Sequence, residues 1–198
     1  MLMGWRGETG QVIVVVGAPD GVGGAVAEQH AAAGDRVMLW GRDGRAVAAS
    51  ARRVRGRAAT RAGSRAAAMP VDAFGLDASD PEAVIAAWNA LVERCGEPDA
   101  LVCVVGSSRA GGTVGTRATV SVTRHAARRF RAAGRGAITV VLTGSAAQTD
   151  GPGEALVAHL RELTAELADF GITVTTRSVT DQSGYRSPAA RRGAAQVS

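Results

Sequence analysis

The stretch QVIVVVGAPDGVGGAVAEQHAAAG, residues 11–34, decides the fold. Its first half is a continuous β-branched run with no polar alternation, the pattern of a strand buried on both faces. Its second half, Gly23 to Ala33, predicts a helix stopped by Gly34 in a left-handed cap position. Between them lie Gly17, Gly21, Val22 and Gly23. A strand that turns at once into a helix, with an anion bound at the turn, has three needs. These are a tight bend, a backbone open to close approach by a pyrophosphate, and free helix N–H groups aimed at the anion. Glycines at this spacing are weak evidence alone. Placed between this strand and this helix, they are fairly specific for a phosphate-cradling loop.

Outward from that unit, strand and helix alternate to about residue 179, which predicts an α/β fold with a parallel sheet covered on both faces. RVMLW is the second strand, and Arg45 to about Arg57 the second helix. The third strand lies within MPVDAFGL. Asp80 can accept from free N–H groups at a helix start and Pro81 suits the first helical position, so a third helix runs from there to about Arg94, ending at Gly96. ALVCVVG and AITVVLTG are buried strands flanking a helix from Thr119 to Ala133. Glu154 to Phe170 carries Leu156, Leu160, Leu163 and Leu167 at helical spacing, closed by Gly171. ITVTTRSV is the sixth strand. The expected architecture is a single Rossmann-type, doubly wound domain over residues 1–198, with about six strands. Its core spans about 11–179, and a polar, frayed tail spans 181–198.

Composition narrows the class. With 198 residues, 46% of them hydrophobic, the chain can bury one good core; aromatics at 4% leave Val, Leu, Ile and Ala to build it. No apolar run is long enough to span a membrane, and MLMGWRGETG has no signal-peptide character. Cys95, at a helix end, and Cys103, a core filler, fit a reduced protein, so a cytoplasmic location is expected. The net charge of +5 comes entirely from arginine, because the chain contains no lysine, a habit of high-GC bacterial genomes. Eight arginines lie between Arg42 and Arg65, against Asp43 alone. That segment could meet an anionic cofactor, but no recognition-helix, zinc or RNA-binding signature accompanies it, and nucleic acid is not an expected partner.

The same residues resemble the short-chain dehydrogenase/reductase family over most of the chain, from Gln11 to about Val179. The glycines of that family's loop are spaced as Gly17, Gly21 and Gly23 are. VMLWGRD ends in Gly41-Arg42, where members preferring NADP carry an arginine; the resemblance implies that Arg42 pairs with the 2′-phosphate. GLDASDPEAV matches the segment whose aspartate touches adenine, which points to Asp77. PDALVCVVG matches the fourth strand, but only Gly106 survives of the Asn-Asn-Ala-Gly motif that follows. Asp20 falls where NADP-dependent relatives often carry Arg or Ser. It either repels a phosphate or bonds loop N–H groups and keeps the loop empty. NADP(H) is the implied cofactor, and no cofactor at all the alternative.

The resemblance also says where catalytic residues belong. The family reduces carbonyls with a Tyr-x-x-x-Lys pair, a serine and an asparagine. Counting back from AELADFGI, the tyrosine and lysine slots fall at about Thr149 and Gly153. No lysine exists to rescue the pair, and arginine cannot give up its proton. The only tyrosine, Tyr185, is in the tail. The serine slot falls on Thr143 or, with a small shift, Ser145, and the asparagine slot on Gly115. The connection TGSAAQTDGPGEA is short, and the family's last strand is missing. Asp150, Glu154 and His159, near the start of the fifth helix, are the candidates for other acid–base work. Glu154 is more simply a charge that suits the helix dipole, and His159 reads more readily as a half-buried surface histidine than as a catalyst. His30 and His125 read as ordinary helix residues. No spacing suggests a metal site.

Three functions follow from this reading. One is a non-standard enzyme on a reductase scaffold, acting on a small molecule by dehydration, isomerisation or cyclisation, in specialised metabolism. The second is a non-catalytic NADP(H)-binding partner or regulator of a complete reductase. The third is an NADPH-dependent oxidoreductase with a substituted proton donor. A homodimer, or pairing with a related reductase, is expected from the survival of the fifth helix.

Overall fold

A computed structural model describes residues 10–17, 21–62, 70–106, 115–144 and 152–179. Six strands form one parallel sheet: β1 (Val12–Val16), β2 (Arg36–Gly41), β3 (Val71–Gly75), β4 (Ala100–Gly106), β5 (Ala137–Thr143) and β6 (Thr173–Val179). Their order across the sheet is β3-β2-β1-β4-β5-β6, the doubly wound order of a dinucleotide fold. Among the described residues five helices connect them: α1 (Val22–Ala32), α2 (Gly44–Ala62), α3 (Pro81–Cys95), α4 (Thr116–Ala133) and α5 (Pro152–Leu167). A short 3₁₀ turn, Ala168–Phe170, follows α5.

The unalternating strands are explained by burial on two sides. Val14 and Val16 of β1 face a core shared with α3, α4 and α5, while Ile13 and Val15 face one shared with α1 and α2. All four are fully buried, and each contributes roughly 1.5–3 kcal/mol relative to an exposed position. Trp40, Trp88 and Phe130 pack edge to face in the first core, with ring centroids 5.9 and 5.8 Å apart across Trp88. Three of the scarce aromatics are thus spent where β2, α3 and α4 meet. Trp88 donates its indole N–H to Glu97 (2.9 Å), and Arg129 donates twice to the same carboxylate (2.9 and 2.7 Å).

Two acids fasten the N-terminal edge of the sheet. Asp35 accepts from the backbone N–H of Gln11 (3.0 Å) and bonds His30 Nδ1 (2.8 Å); Asp99 accepts from the N–H of Val12 (2.8 Å) and from Arg135. Helix starts follow the expected chemistry at α3, where Asp80 accepts from the N–H of Glu82 at 3.0 Å. Asp43, the lone acid of the basic stretch, caps α2 by accepting from the N–H groups of Arg45 and Ala46.

Some boundaries differ from expectation. Helix α2 continues to Ala62 instead of stopping near Arg57, because Ala58, Ala59 and Ala62 are strong helix formers and Val54 and Ala58 keep one face buried. Helix α4 begins one turn early, at Thr116, and the α-helical part of α5 ends at Leu167. There the 3₁₀ turn tightens into Gly171, whose φ of 68° supplies the left-handed cap. No helix among the described residues is long and apolar enough to cross a membrane. The tail from Asp181, with Tyr185, lies outside the described residues.

Candidate nucleotide site

In a sheet ordered 3-2-1-4-5-6, the chain winds outward in opposite directions from β1 and β4. A crevice therefore opens at the carboxyl ends of these two strands. The glycine loop leaves β1 there. Gly17, at φ 89°, donates its N–H to the carbonyl of Trp40 at 3.0 Å, which ties the start of the loop to β2. Gly21, at φ 87° and ψ −132°, caps α1 without a side-chain hydrogen bond, and the first turn of α1 holds no acid. The N–H groups at that helix start have no acceptor within the helix and carry its positive end. Val22 and Gly23 are both buried, so the helix sits close on the sheet. Asp20 lies outside the described residues.

The far wall comes from the ends of β2 and β3. A Cβ on Gly41 would stand 2.8 Å from Val47 Cγ2, and one on Gly75 2.8 Å from Gly44 Cα. Sequence spacing did not single out Gly44 or Gly75, yet their mutual approach seats the start of α2 against the end of β3. Two glycines, each just outside a run of apolar residues, were the available signal. Beyond Gly41, the guanidinium of Arg42 is three-quarters exposed, with Nη2 3.7 Å from Asp77 Oδ1. The same Asp77 oxygen accepts from the N–H (2.9 Å) and hydroxyl (2.7 Å) of Ser79. These two bonds, and then the Arg42 charge, hold the Asp77 carboxyl below the usual carboxylate range. Arg42 and Asp77, 35 positions apart, thus meet at one corner of the crevice.

At the other side, Gly106 ends β4 at φ 149°, and a Cβ there would overlap the hydroxyl and carbonyl oxygens of Thr143. Only glycine fits. The Thr143 hydroxyl donates to the Val105 carbonyl at 3.1 Å, so its proton serves the sheet. Gly115 precedes α4 with open space around it.

The remaining acid–base candidates are not brought together. Glu154 is exposed in the first turn of α5. His159, five residues on, falls on a different face of the helix. It is buried, not half-buried, because it shares the apolar stripe of Leu156, Leu160 and Leu163. Its Nε2 lies 3.0 Å from the hydroxyl of Thr123, which already donates to the Thr119 carbonyl at 2.7 Å. One hydroxyl proton cannot serve both, so we assign Nε2–H as the donor. Burial, and then the Arg124 charge, lower the His159 pKa, consistent with a neutral donor. Ser145, Thr149 and Asp150 lie outside the described residues, while Gly153 falls in the first turn of α5. No group of His, Cys, Asp and Glu among the described residues could hold a metal ion.

The fold is shared with known proteins. The family model described as short chain dehydrogenase matches residues 11–180. A short-chain type dehydrogenase/reductase from Mycobacterium ulcerans superposes with a TM-score of 0.69 at 20% identity, covering 85% of this chain and 67% of that one. A metagenomic short-chain oxidoreductase in complex with NADP gives 0.62 at 24% identity, covering 86% and 82%. L-Sorbose reductase from Gluconobacter frateurii, complexed with NADPH and L-sorbose, gives 0.68 at 23% identity, covering 86% and 69%. No curated protein matches the chain.

Proposed function

The chain belongs to the short-chain dehydrogenase family, and from that premise we propose that it binds NADP(H) at the crevice without performing the family's tyrosine–lysine carbonyl reduction. It acts instead as a nucleotide-binding partner, paired with a complete reductase or with a second copy of itself. The observation that carries this reading is the contrast between the two halves of the crevice. The nucleotide half keeps its glycines, its open helix start and Arg42. The catalytic half has no lysine to draw on anywhere in 198 residues.

The described residues fit the nucleotide. The positive end of α1 would receive the pyrophosphate, Gly106 would leave room beside the end of β4, and Arg42 would take the 2′-phosphate by releasing Asp77 to Ser79 alone. Bound NADPH supplies hydride chemistry, but a carbonyl reduction also needs a proton donor beside the carbonyl oxygen. Thr143 has committed its proton to Val105 and His159 its own to Thr123; Glu154 is exposed to solvent.

The test is nucleotide binding measured beside turnover of a panel of aldehydes and ketones. Saturable NADPH binding with no substrate-dependent NADPH consumption, and co-purification with a reductase that carries the tyrosine–lysine pair or self-association, are expected. Substrate-dependent consumption would overturn the reading in favour of an oxidoreductase with a substituted donor, Ser145 or Asp150 being the first to replace. Product formed without NADPH would instead establish a non-redox enzyme, with Glu154 the accessible acid.

A further inference from the structure

A groove of about 290 Å³ runs between α3 and α4, and of the residues at the nucleotide corner only Ser79 lines it. Pro81, Val84 and Ile85 of α3 and Val120 of α4 give it an apolar floor, while Arg117, Arg124 and Arg128 stand along its α4 side. The three arginines are seven and four residues apart, which places them on one stripe of the helix.

The arginines of α4 are sorted by face. Arg129 is held by Glu97 and Arg131 by Glu166, and Arg135, just past the helix, by Asp99. Arg117, Arg124 and Arg128 are exposed, and no carboxylate among the described residues pairs with them. A composition rich in arginine accounts for their number but not for this division. Like charges on one helix stripe repel one another, and a bound anion would relieve them.

His125 lines the same groove. Its ring packs edge-on against Trp88 at 5.1 Å, and its Nε2 is buried with no hydrogen-bond partner among the described residues. A buried polar atom left without a partner is uncommon and calls for an explanation. Burial, with Arg129 and Arg128 nearby, lowers the His125 pKa, so the ring is neutral near pH 7 and can donate or accept according to tautomer.

We propose that the α3–α4 groove is a second ligand site, binding a small organic phosphate: a short apolar body over Pro81, Ile85 and Val120, with its phosphate among Arg124, Arg128 and Arg117. The planar guanidinium fork matches phosphate oxygens. The groove volume lies at the small end of ligand pockets, which limits the apolar body to a few carbons. The groove begins at Ser79, which also holds Asp77, so the two sites are neighbours but share no cationic group.

Calorimetric titration with hexyl phosphate at low ionic strength tests this. One-to-one saturable binding is expected, with none for hexanol. The double variant Arg124→Gln/Arg128→Gln should weaken it by roughly tenfold or more, the scale of losing charge-assisted contacts. Arg131→Gln/Arg161→Gln, with the same change in net charge, should alter it less than about twofold. Arg42→Ala should leave it intact, which separates this site from the nucleotide crevice. Absence of saturable binding, equal loss in both double variants, or loss in Arg42→Ala would each overturn the proposal.

Discussion

Replacing Gly106 with alanine isolates the contact that joins the two halves of the crevice. Two costs add at this position. The backbone sits at φ 149°, a conformation an L side chain adopts only at about 1–3 kcal/mol. The new Cβ would also overlap the Thr143 hydroxyl and carbonyl oxygens. Relief requires moving β5, at an overpacking cost of about 1–3 kcal/mol. The sum is roughly 2–6 kcal/mol, about 4–24 °C in Tm for a chain of this length. Two glycines serve as internal standards. Gly96 has φ 83° with open space around it, so Gly96→Ala should carry the backbone cost alone, about 1–2 kcal/mol. Gly56 is exposed within α2, with nothing near its Cβ position, so Gly56→Ala should stabilise by about 0.5–1 kcal/mol. Urea unfolding of the three variants gives the order directly. If Gly106→Ala proves no more damaging than Gly96→Ala, the close packing of β4 on β5 is wrong, and with it the account of why Gly106 survives from its motif.

Two further outcomes bear on the electrostatics. The Arg129 hydrogen bonds depress the Glu97 pKa, followed by the Trp88 bond. A depressed carboxylate stabilises the fold above its ordinary value of 4.5 and loses that contribution as pH falls through the lower folded value. Stability should therefore drop on acidification below 4.5, and Glu97→Gln should flatten that drop; identical slopes in urea titrations would remove Glu97 as its source. His159 has the opposite charge type. Its lowered pKa means that the fold resists the imidazolium, so stability is full above the ordinary 6.5 and declines below it. In NMR titration the folded His159 should titrate below 6.5, and His159→Leu should leave NADPH affinity unchanged. An altered affinity would return His159 to the nucleotide site.

Much of this architecture is written in short-range chemistry. The VIVVV run announces burial on both faces, and Asp80-Pro81 announces a helix start; the structure bears out both. The glycine loop announces a strand-to-helix turn, and the ends of that turn, Gly17 and Gly21, take positive φ. Other features depend on neighbours far along the chain. His159 became buried through the leucine stripe on its own helix, a signal available from spacing but outweighed by its polarity. The meeting of Arg42 with Asp77 needed β2 and β3 in register, Gly41 opposite Gly75. His125 read as an ordinary helix residue because its significance lies in a groove that exists only once α3 and α4 pack side by side. Glu97 and Arg129 are equally silent in sequence, since their pairing is set by where Trp88 ends up.

Calorimetry of NADPH and NADH binding to the protein and to Arg42→Ala decides whether the crevice holds a nucleotide. If the crevice is a working nucleotide site, NADPH binds saturably and in preference to NADH. Removing Arg42 then costs NADPH roughly 10–100-fold, the scale of losing a charge-assisted phosphate contact, while NADH changes less than about threefold. Failure of both nucleotides to bind would rule out a working nucleotide site and leave the glycine loop as scaffold alone.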